Sequence, residues 1–209
     1  MLLATVAAPA RTLPELERAL ARQPPHSTSF QEFRFSRLMT RAAVATGTLE
    51  YRQPGNWVRT VETPRVERAE IIGDEVRVRR GTGAERRFDL ARAPQLRLLL
   101  QSLQALLGGS LSMLEAEFQL SFVSQDPAWG LRLEPRDRKL SKSVLHIDVF
   151  GAGDAATCIE VAEPDGDASF TLLGTAPSHA MPGAAKQERA ERARIESQCR
   201  LVPIGTDAR

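Results

Sequence analysis

The sequence is poor in features that mark several large classes of protein. Aromatic residues make up 5% of its 209 residues, and 28 basic against 26 acidic side chains leave a formal net charge of only +2. RNP, zinc-finger and helix-turn-helix signatures are absent, so the sequence gives no support for nucleic-acid binding. No stretch approaches the roughly 20 consecutive apolar residues of a membrane-spanning helix. We therefore expect a soluble globular chain that binds no nucleic acid.

Cysteine is also scarce, because Cys158 and Cys199 are the only two in the chain. Their spacing fits no metal or redox motif. In an oxidising compartment they could form one disulfide, and otherwise they would be two free thiols. The sequence leaves both alternatives open.

Motifs of catalysis and of cofactor binding are missing as well. None of the three histidines belongs to an HExxH pair, and the glycine-rich stretches lack the lysine and the following helix of a phosphate-binding loop. His146 and Asp148 lie two residues apart on a predicted strand, which is the minimum for a general base and its orienting acid, but no G-x-S-x-G motif accompanies them. A histidine at the surface or near a turn is the better interpretation. We expect neither an enzyme nor a bound metal or cofactor.

The chain begins with a short apolar run. Residues 1–10, MLLATVAAPA, resemble the end of a signal peptide, and Ala8-Pro9-Ala10 has the small-x-small form that signal peptidase accepts. The basic segment that usually precedes such a run is missing, so a merely apolar N-terminus is the alternative. The interpretation as a signal-peptide remnant predicts an exported protein.

The most strongly patterned stretch runs from Pro94 to Gly109. Proline suits the first position of a helix, and the glycine pair at its end supplies the left-handed backbone with which helices stop. Between them, six of the leucines fall on one side at the helical period: Leu96, Leu99, Leu100, Leu103, Leu106 and Leu107. The pattern predicts one amphipathic helix that needs an apolar surface elsewhere in the chain.

Strand-like sequence lies on both sides of that helix. A short helix is predicted over residues 12–22 with Thr12 as its cap, and after it the hydrophobic period changes to two. Turn sequences separate the alternating segments, among them Pro54-Gly55, Gly73-Asp74 and Asp165-Gly166-Asp167. The pattern predicts a mainly β fold with helices, in which a strongly curved antiparallel sheet forms an incomplete barrel covered by lid helices.

Three segments are expected along the chain. Residues 1–10 are the signal-peptide remnant, residues 11–176 form the half-barrel domain and residues 177–209 form a polar C-terminal tail. The tail is Ala-rich and charged, without a clear apolar stripe, so we expect a solvated helix or a disordered segment. It is therefore left out of the predicted core.

The order of these elements, together with several local strings, resembles the LolA family of outer-membrane lipoprotein carriers, in a divergent LolA-related branch. The matching strings are Phe30-Gln31-Glu32, Gly47-Thr48-Leu49-Glu50-Tyr51, the pair Pro54 and Pro64, the Leu-rich helix, Trp129-Gly130-Leu131-Arg132-Leu133-Glu134-Pro135 and Asp165-Gly166-Asp167. The resemblance covers roughly residues 13–173, and the order and spacing of the strings carry it.

The resemblance implies a periplasmic carrier without catalysis. Its half-open barrel would hold acyl chains of a lipoprotein or another lipid in an apolar cavity under lid helices and ferry them towards the outer membrane, with an inner-membrane donor and an outer-membrane acceptor as possible partners. No sustained heptad or exposed apolar edge in the sequence argues against a monomer. An acyl chain stabilises such a complex by about 0.8 kcal/mol for each buried methylene. The alternative is a non-transporting binding or sensor module of the same fold in the envelope.

Two positions depart from the family pattern. Where the carriers commonly place an arginine before the first proline, this sequence has Gln53, and Arg52 precedes it by one residue, which on a strand means the opposite face. Where they commonly have an aromatic residue five positions after that proline, it has Arg59. A different lipid or a polyene-like ligand therefore stays as open as a lipoprotein.

The candidate cavity residues are the apolar members of the alternating strands and of the Leu-rich helix. They are Phe33, Phe35, Leu49, Tyr51, Trp57, Leu96, Leu99, Leu100, Leu103, Leu120, Phe122, Leu131 and Leu133. Each of them could instead be ordinary core, so the hypothesis depends on the set rather than on any one side chain.

Overall fold

The computed structural model describes residues 12–21, 26–53, 55–92, 114–174 and 185–204. Within these ranges lie two α-helices, α1 (Leu13–Leu20) and α2 (Ala185–Cys199), and two short 3-10 helices at Leu90–Arg92 and Leu140–Lys142. The predicted Leu-rich helix and the predicted signal-peptide remnant both fall outside the described residues.

Eleven strands are found in the described ranges. They are β1 (His26–Phe35), β2 (Ala43–Gln53), β3 (Asn56–Thr63), β4 (Glu67–Ile72), β5 (Glu75–Arg80), β6 (Arg86–Asp89), β7 (Phe118–Gln125), β8 (Ala128–Pro135), β9 (His146–Ala152), β10 (Ala155–Ala162) and β11 (Ala168–Leu173). Three of the predicted turns contain glycines with positive φ, namely Gly55, Gly73 and Gly166. The turns thus fall where the sequence placed them.

All eleven strands form one antiparallel sheet. Its order is β6-β5-β4-β3-β2-β1-β11-β10-β9-β8-β7, so the chain builds one half outwards from β1 to β6 and the other half from β7 back to β11. The halves join where β1 pairs with β11, with Phe30 opposite Leu173 and Phe33 opposite Phe170. The sheet does not close into a barrel, because β6 and β7 stand at its two ends. The prediction of a mainly β fold with an unclosed antiparallel sheet is confirmed.

One face of the sheet, here called the inner face, carries α1. Leu16 and Leu20 of this helix are buried on it, while at its start the N–H and Oγ1 of Thr12 donate to the Glu15 carboxylate at 2.7 and 2.8 Å. The inner cluster continues across the strands through Phe30, Val61, Phe118, Trp129, Leu131, Leu133, Ile147, Val149, Ile159 and Leu173. The larger of the two apolar cores therefore lies between α1 and this face.

The opposite face, here called the outer face, carries α2 and the residues that follow it. Its cluster joins Phe33, Phe35, Phe150, Cys158, Phe170 and Leu172 of the strands to Ile195, Cys199 and Val202. Gly130 on β8 leaves room for this segment, since a Cβ there would lie 2.8 Å from the Ile204 side chain. The segment thus crosses the sheet from β11 and β10 to β8.

The expectation that the C-terminal tail lies outside the core is wrong for this segment. Ile195, Cys199 and Val202 are each at most 2% exposed, and a disulfide joins Cys199 to Cys158 of β10. The two alternatives for the cysteines are thereby decided in favour of the bridge. A helix that touches the sheet with one narrow line of residues keeps the rest of its surface charged, which is why it shows no broad apolar stripe.

Candidate functional site

The inner face contains a half-open cavity of about 370 Å³ beside α1. It lies at the end of the sheet where β1 begins and β2 ends, and the β9–β10 turn closes its far side. The lining residues are Leu20, His26, Thr28, Leu49, Tyr51, Trp57, Asp154, Ala155, Ala156, Thr157, Leu173 and Gly174. A volume of this size falls at the lower end of the range of roughly 300–1,000 Å³ that is usual for small-molecule sites.

Two aromatic rings form one wall of the cavity. Tyr51 of β2 and Trp57 of β3 are directly opposite each other across a hairpin, and their rings stack with centroids 4.5 Å apart and planes inclined by 20°. Cross-strand aromatic pairs stabilise the strands that bear them. The wall is therefore held by the hairpin itself and needs no ligand to order it.

An ion pair interrupts the apolar surface next to this wall. Arg59 lies opposite Leu49 in the sheet, its guanidinium sits 4.7 Å from the centre of the Phe30 ring, and its Nη2 donates to Glu32 at 3.0 Å. On β2, Gly47 approaches β3 so closely that a Cβ would overlap the Thr60 carbonyl oxygen. The residue that departs from the family's aromatic position is thus neutralised and packed on a ring.

The predicted cavity residues fall into four groups. Leu49, Tyr51 and Trp57 line the cavity, whereas Leu120, Phe122, Leu131 and Leu133 lie in the inner cluster on β7 and β8. Phe33 and Phe35 lie on the outer face in the cluster under α2, and the structure does not bring them to the cavity. Leu96, Leu99, Leu100 and Leu103 fall outside the described residues.

Sequence reasoning missed the part of the lining that comes from other elements. Leu20 ends α1, and residues 154–157 form the β9–β10 turn and the start of β10. These residues carry no motif, and only the pairing of β1 with β11 brings them near Tyr51 and Trp57. The one available signal was the apolar face of α1, which required a partner surface on the sheet.

Two buried carboxylates of the outer face, on β9 and β10, form a compact network with two arginines. Arg132 donates twice to Asp148 at 2.8 and 2.7 Å, and Arg200 donates twice to Glu160 at 2.9 and 2.7 Å. Asp148 and Glu160 are opposite each other in the sheet, and both are at most 2% exposed. Each buried carboxylate therefore has its own bidentate arginine.

The His146 and Asp148 pair is part of this network rather than of the cavity. His146 Nε2 lies 3.7 Å from Asp148 Oδ2, and both oxygens of that carboxylate already accept from Arg132. Burial lowers the pKa of His146, against the opposing charge of Asp148. Because Asp148 is engaged with Arg132, the geometry gives it a structural partner and no free role as an orienting acid.

The described residues show neither a metal-binding cluster nor a membrane-spanning helix. No group of three or more His, Cys, Asp or Glu side chains in those ranges could hold a metal ion. None of the described helices is both long and apolar enough to cross a bilayer.

Comparisons with known proteins point to one family. A family model for "outer membrane lipoprotein carrier protein LolA-like" matches residues 7–199, and no curated protein matches the sequence. Among solved structures, a LolA superfamily protein from Nitrosomonas europaea is 11% identical over 79% of this chain and 93% of its own, with a TM-score of 0.42.

Two further solved structures are similar to this chain. The Pseudomonas aeruginosa MucA/MucB complex matches at 13% identity over 92% of this chain and 64% of the matched chain, with a TM-score of 0.38. LprF from Mycobacterium bovis is 11% identical over 81% of this chain and 97% of its own chain, with a TM-score of 0.33. With TM-scores below 0.5, these similarities say nothing about the function of this chain.

Proposed function

The chain belongs to the LolA-like family of outer membrane lipoprotein carrier proteins, and from that premise we propose that it binds acyl chains of a lipoprotein or another lipid in the inner-face cavity. The observation that supports this most directly is the cavity itself, which Leu49, Tyr51, Trp57 and Leu173 line with apolar surface. An acyl chain in such a site gains about 0.8 kcal/mol for each methylene it buries.

The chemistry of the cavity suits reversible binding. Its polar groups, such as His26 and Thr28, lie at the start of β1 beside the apolar wall. Apolar contacts are non-directional, so a chain can enter and leave without breaking fixed hydrogen bonds. This favours a carrier or binding protein over an enzyme.

The proposal extends to where and how the protein works. It acts in the periplasm as a monomer, takes a lipid or lipoprotein from an inner-membrane donor and delivers it towards an outer-membrane acceptor. A transfer assay tests this part: labelled lipid should move from donor to acceptor vesicles faster with the protein present. Binding without transfer would instead support the non-transporting envelope module.

Native mass spectrometry of protein purified from its own host tests the binding step. We expect a co-purifying acylated or polyene species, released and identified by organic extraction. The proposal would be contradicted if the purified protein carried no lipid and also bound no fatty-acid probe after delipidation.

A matched pair of variants locates the site. Ala156→Phe places a ring in the cavity wall, whereas Ala43→Phe adds the same ring at an exposed position on β2 outside the cavity. The first should abolish probe binding while the thermal midpoint stays near that of the wild type, and the second should bind normally. Equal binding by both variants would place the ligand elsewhere.

A further inference from the structure

The three most exposed large apolar side chains of the described residues all lie in connections between strands. Leu38, Val66 and Leu145 are 96%, 57% and 51% exposed. Leu38 belongs to the β1–β2 loop, residues 36–42, and Val66 to the β3–β4 turn, residues 64–66. Leu145 ends the β8–β9 loop, residues 136–145. Three separate connections thus each present one apolar side chain to solvent.

The pairing register places these three loops on one edge of the sheet, here called the rim. β1 ends beside the start of β2, β3 ends beside the start of β4, and β8 ends beside the start of β9. β10 turns into β11 at the same edge, through residues 163–167. The cavity lies at the opposite end of the strands. Successive loops along the rim are two strands apart in the sheet order, which is about 10 Å.

Hydrogen bonds fix the backbone of the β1–β2 loop. The Arg37 N–H donates to the buried Asp167 carboxylate of the β10–β11 turn at 2.9 Å. The Met39 N–H donates to the Ser36 carbonyl at 2.9 Å, and the Leu38 N–H donates to the Ser36 hydroxyl at 3.3 Å. The Leu38 side chain is therefore held outwards by a loop of defined conformation.

The other two apolar side chains have similarly fixed positions. The Leu145 N–H donates to the Ala162 carbonyl at the end of β10 at 2.7 Å, and the Val66 carbonyl accepts from the Gly81 N–H at 2.8 Å. Each residue is thus tied through its backbone to a neighbouring connection or strand, while its side chain stays exposed.

The three loops that carry these apolar side chains are strongly basic. They contain seven arginines or lysines and one acid, Asp137, although the whole chain has 28 basic and 26 acidic residues. The Asp137 carboxylate accepts the N–H groups of Lys139 and Leu140 at 2.9 and 2.8 Å. The acidic β10–β11 turn offsets part of the charge, since Arg37 lies 3.5 Å from Asp165. With the three acids of that turn included, basic side chains still outnumber acidic ones on the rim.

This arrangement fits a lipid surface better than a protein partner. The core of a protein interface is a contiguous apolar patch that is poor in charge, whereas the apolar side chains of the rim lie on separate loops with basic residues beside them. Peripheral membrane binding combines apolar side chains that enter the interface with cations that attract anionic headgroups. The rim supplies both components on one edge.

We propose that the rim docks on the surface of a membrane that contains anionic phospholipid, with Leu38, Val66 and Leu145 entering the interface. The basic side chains of the same loops meet the headgroups. This docking surface is separate from the cavity and does not depend on the proposed function. The docked protein keeps its cavity at the end away from the membrane.

Co-sedimentation with vesicles tests the apolar component. The wild type should sediment with vesicles of phosphatidylethanolamine and phosphatidylglycerol, and much less with vesicles of phosphatidylcholine alone. Leu38→Asn should lower the partition coefficient about tenfold, whereas Leu38→Trp should bind as well as the wild type, because tryptophan suits the membrane interface. Leu201→Asn is the matched control, since Leu201 is exposed on the segment after α2. It should leave the partition coefficient unchanged.

The charge component has its own variant. Arg41 and Lys142 are exposed side chains of two of the loops, and the double variant Arg41→Gln with Lys142→Gln removes both charges. Binding to the anionic vesicles should weaken about fivefold for each lost charge, and its dependence on salt concentration should become shallower.

The proposal is overturned if the wild type sediments with neither kind of vesicle, or if Leu38→Asn binds no more weakly than Leu201→Asn. The cavity variant Ala156→Phe keeps the two proposals apart. It should lose fatty-acid binding and sediment with vesicles like the wild type. If a folded Ala156→Phe variant also lost vesicle binding, the cavity would be responsible and the rim would not. Failure of the wild type to bind fatty acid contradicts the proposed function alone.

Discussion

The two faces of the sheet are covered in different ways. On the outer face, α2 and the residues after it are held by the Cys158–Cys199 disulfide and by the double hydrogen bond from Arg200 to Glu160. On the inner face, α1 is the one described α-helix in the apolar cluster, and beside it the half-open cavity remains. The outer face is thus closed with covalent and ionic contacts in addition to its apolar cluster, whereas the described helix α1 packs on the inner face through apolar side chains.

The difference suggests a division of tasks. A disulfide and bidentate ion pairs hold one geometry, so the outer face suits a permanent closure. Apolar contacts are non-directional, so contacts within the protein can be replaced by contacts with a ligand. The inner face therefore suits a ligand that binds reversibly. Substitutions on the outer face should therefore cost stability, and those on the inner face should cost binding.

Breaking the buried ion pair should give the largest loss of stability. Arg132 and Asp148 have side chains 13% and 2% exposed, and Arg132→Met leaves the carboxylate buried without its partner. We expect the free energy of unfolding to fall by about 3–5 kcal/mol, measured by urea denaturation. The double variant Arg132→Met with Asp148→Leu should recover much of the loss, because it removes the uncompensated charge. If Arg132→Met alone were as stable as the wild type, the outer face would not be the permanently closed one.

Removing the disulfide should have the next largest effect. The bridge closes a loop with a sequence separation of 41 residues, and replacing both cysteines with alanine should cost about 2–4 kcal/mol through a less restricted unfolded chain. Thermal unfolding with and without reductant measures it. Reductant should lower the midpoint of the wild type and leave that of the double variant unchanged. Fatty-acid binding should survive in the double variant if the faces act separately.

The same contrast explains what the sequence could predict. Glycine turns and alternating strands depend on local chemistry. The sequence could therefore predict the turns at Gly73 and Gly166 and the side of the cavity formed by Leu49, Tyr51 and Trp57. Phe33 and Phe35 were expected in the cavity, but they lie on the face that α2 covers. The sequence could not show this, because β1 is apolar on both sides, with Phe30 on the inner face.

The remaining features depend on contacts that are distant in sequence. The pairing of β1 with β11 brings Leu173 and the β9–β10 turn to the cavity, and no local pattern encodes it. The closure by α2 rests on few buried apolar residues, chiefly Ile195 and Cys199, within a charged segment. The sequence shows that composition but not the surface it faces.

On the inner face, truncating the aromatic wall should separate binding from stability. Trp57 is only half-buried, and Trp57→Ala removes its stack with Tyr51, a pair worth about 0.5–1.5 kcal/mol beyond buried area. We expect a modest fall in the thermal midpoint, smaller than for Arg132→Met, together with loss of fatty-acid binding. Trp57→Phe, which keeps a ring, should retain binding. If Trp57→Ala destabilises the fold as much as Arg132→Met, the inner face is closed as firmly as the outer one.

The smallest effect should come from His146, the titrating group in the outer-face network. Burial lowers its pKa, although the Asp148 charge opposes this and Arg132, Glu160 and Glu134 also act on it. As the pH falls through about 6.5, the unfolded chain takes up a proton that the folded chain does not. Stability should therefore decline with falling pH until the folded histidine is protonated too, and His146→Gln should flatten that slope. Urea denaturation between about pH 5 and about pH 8, with an NMR titration of His146, measures it, and a pKa at or above the ordinary histidine value would show that Asp148 outweighs burial.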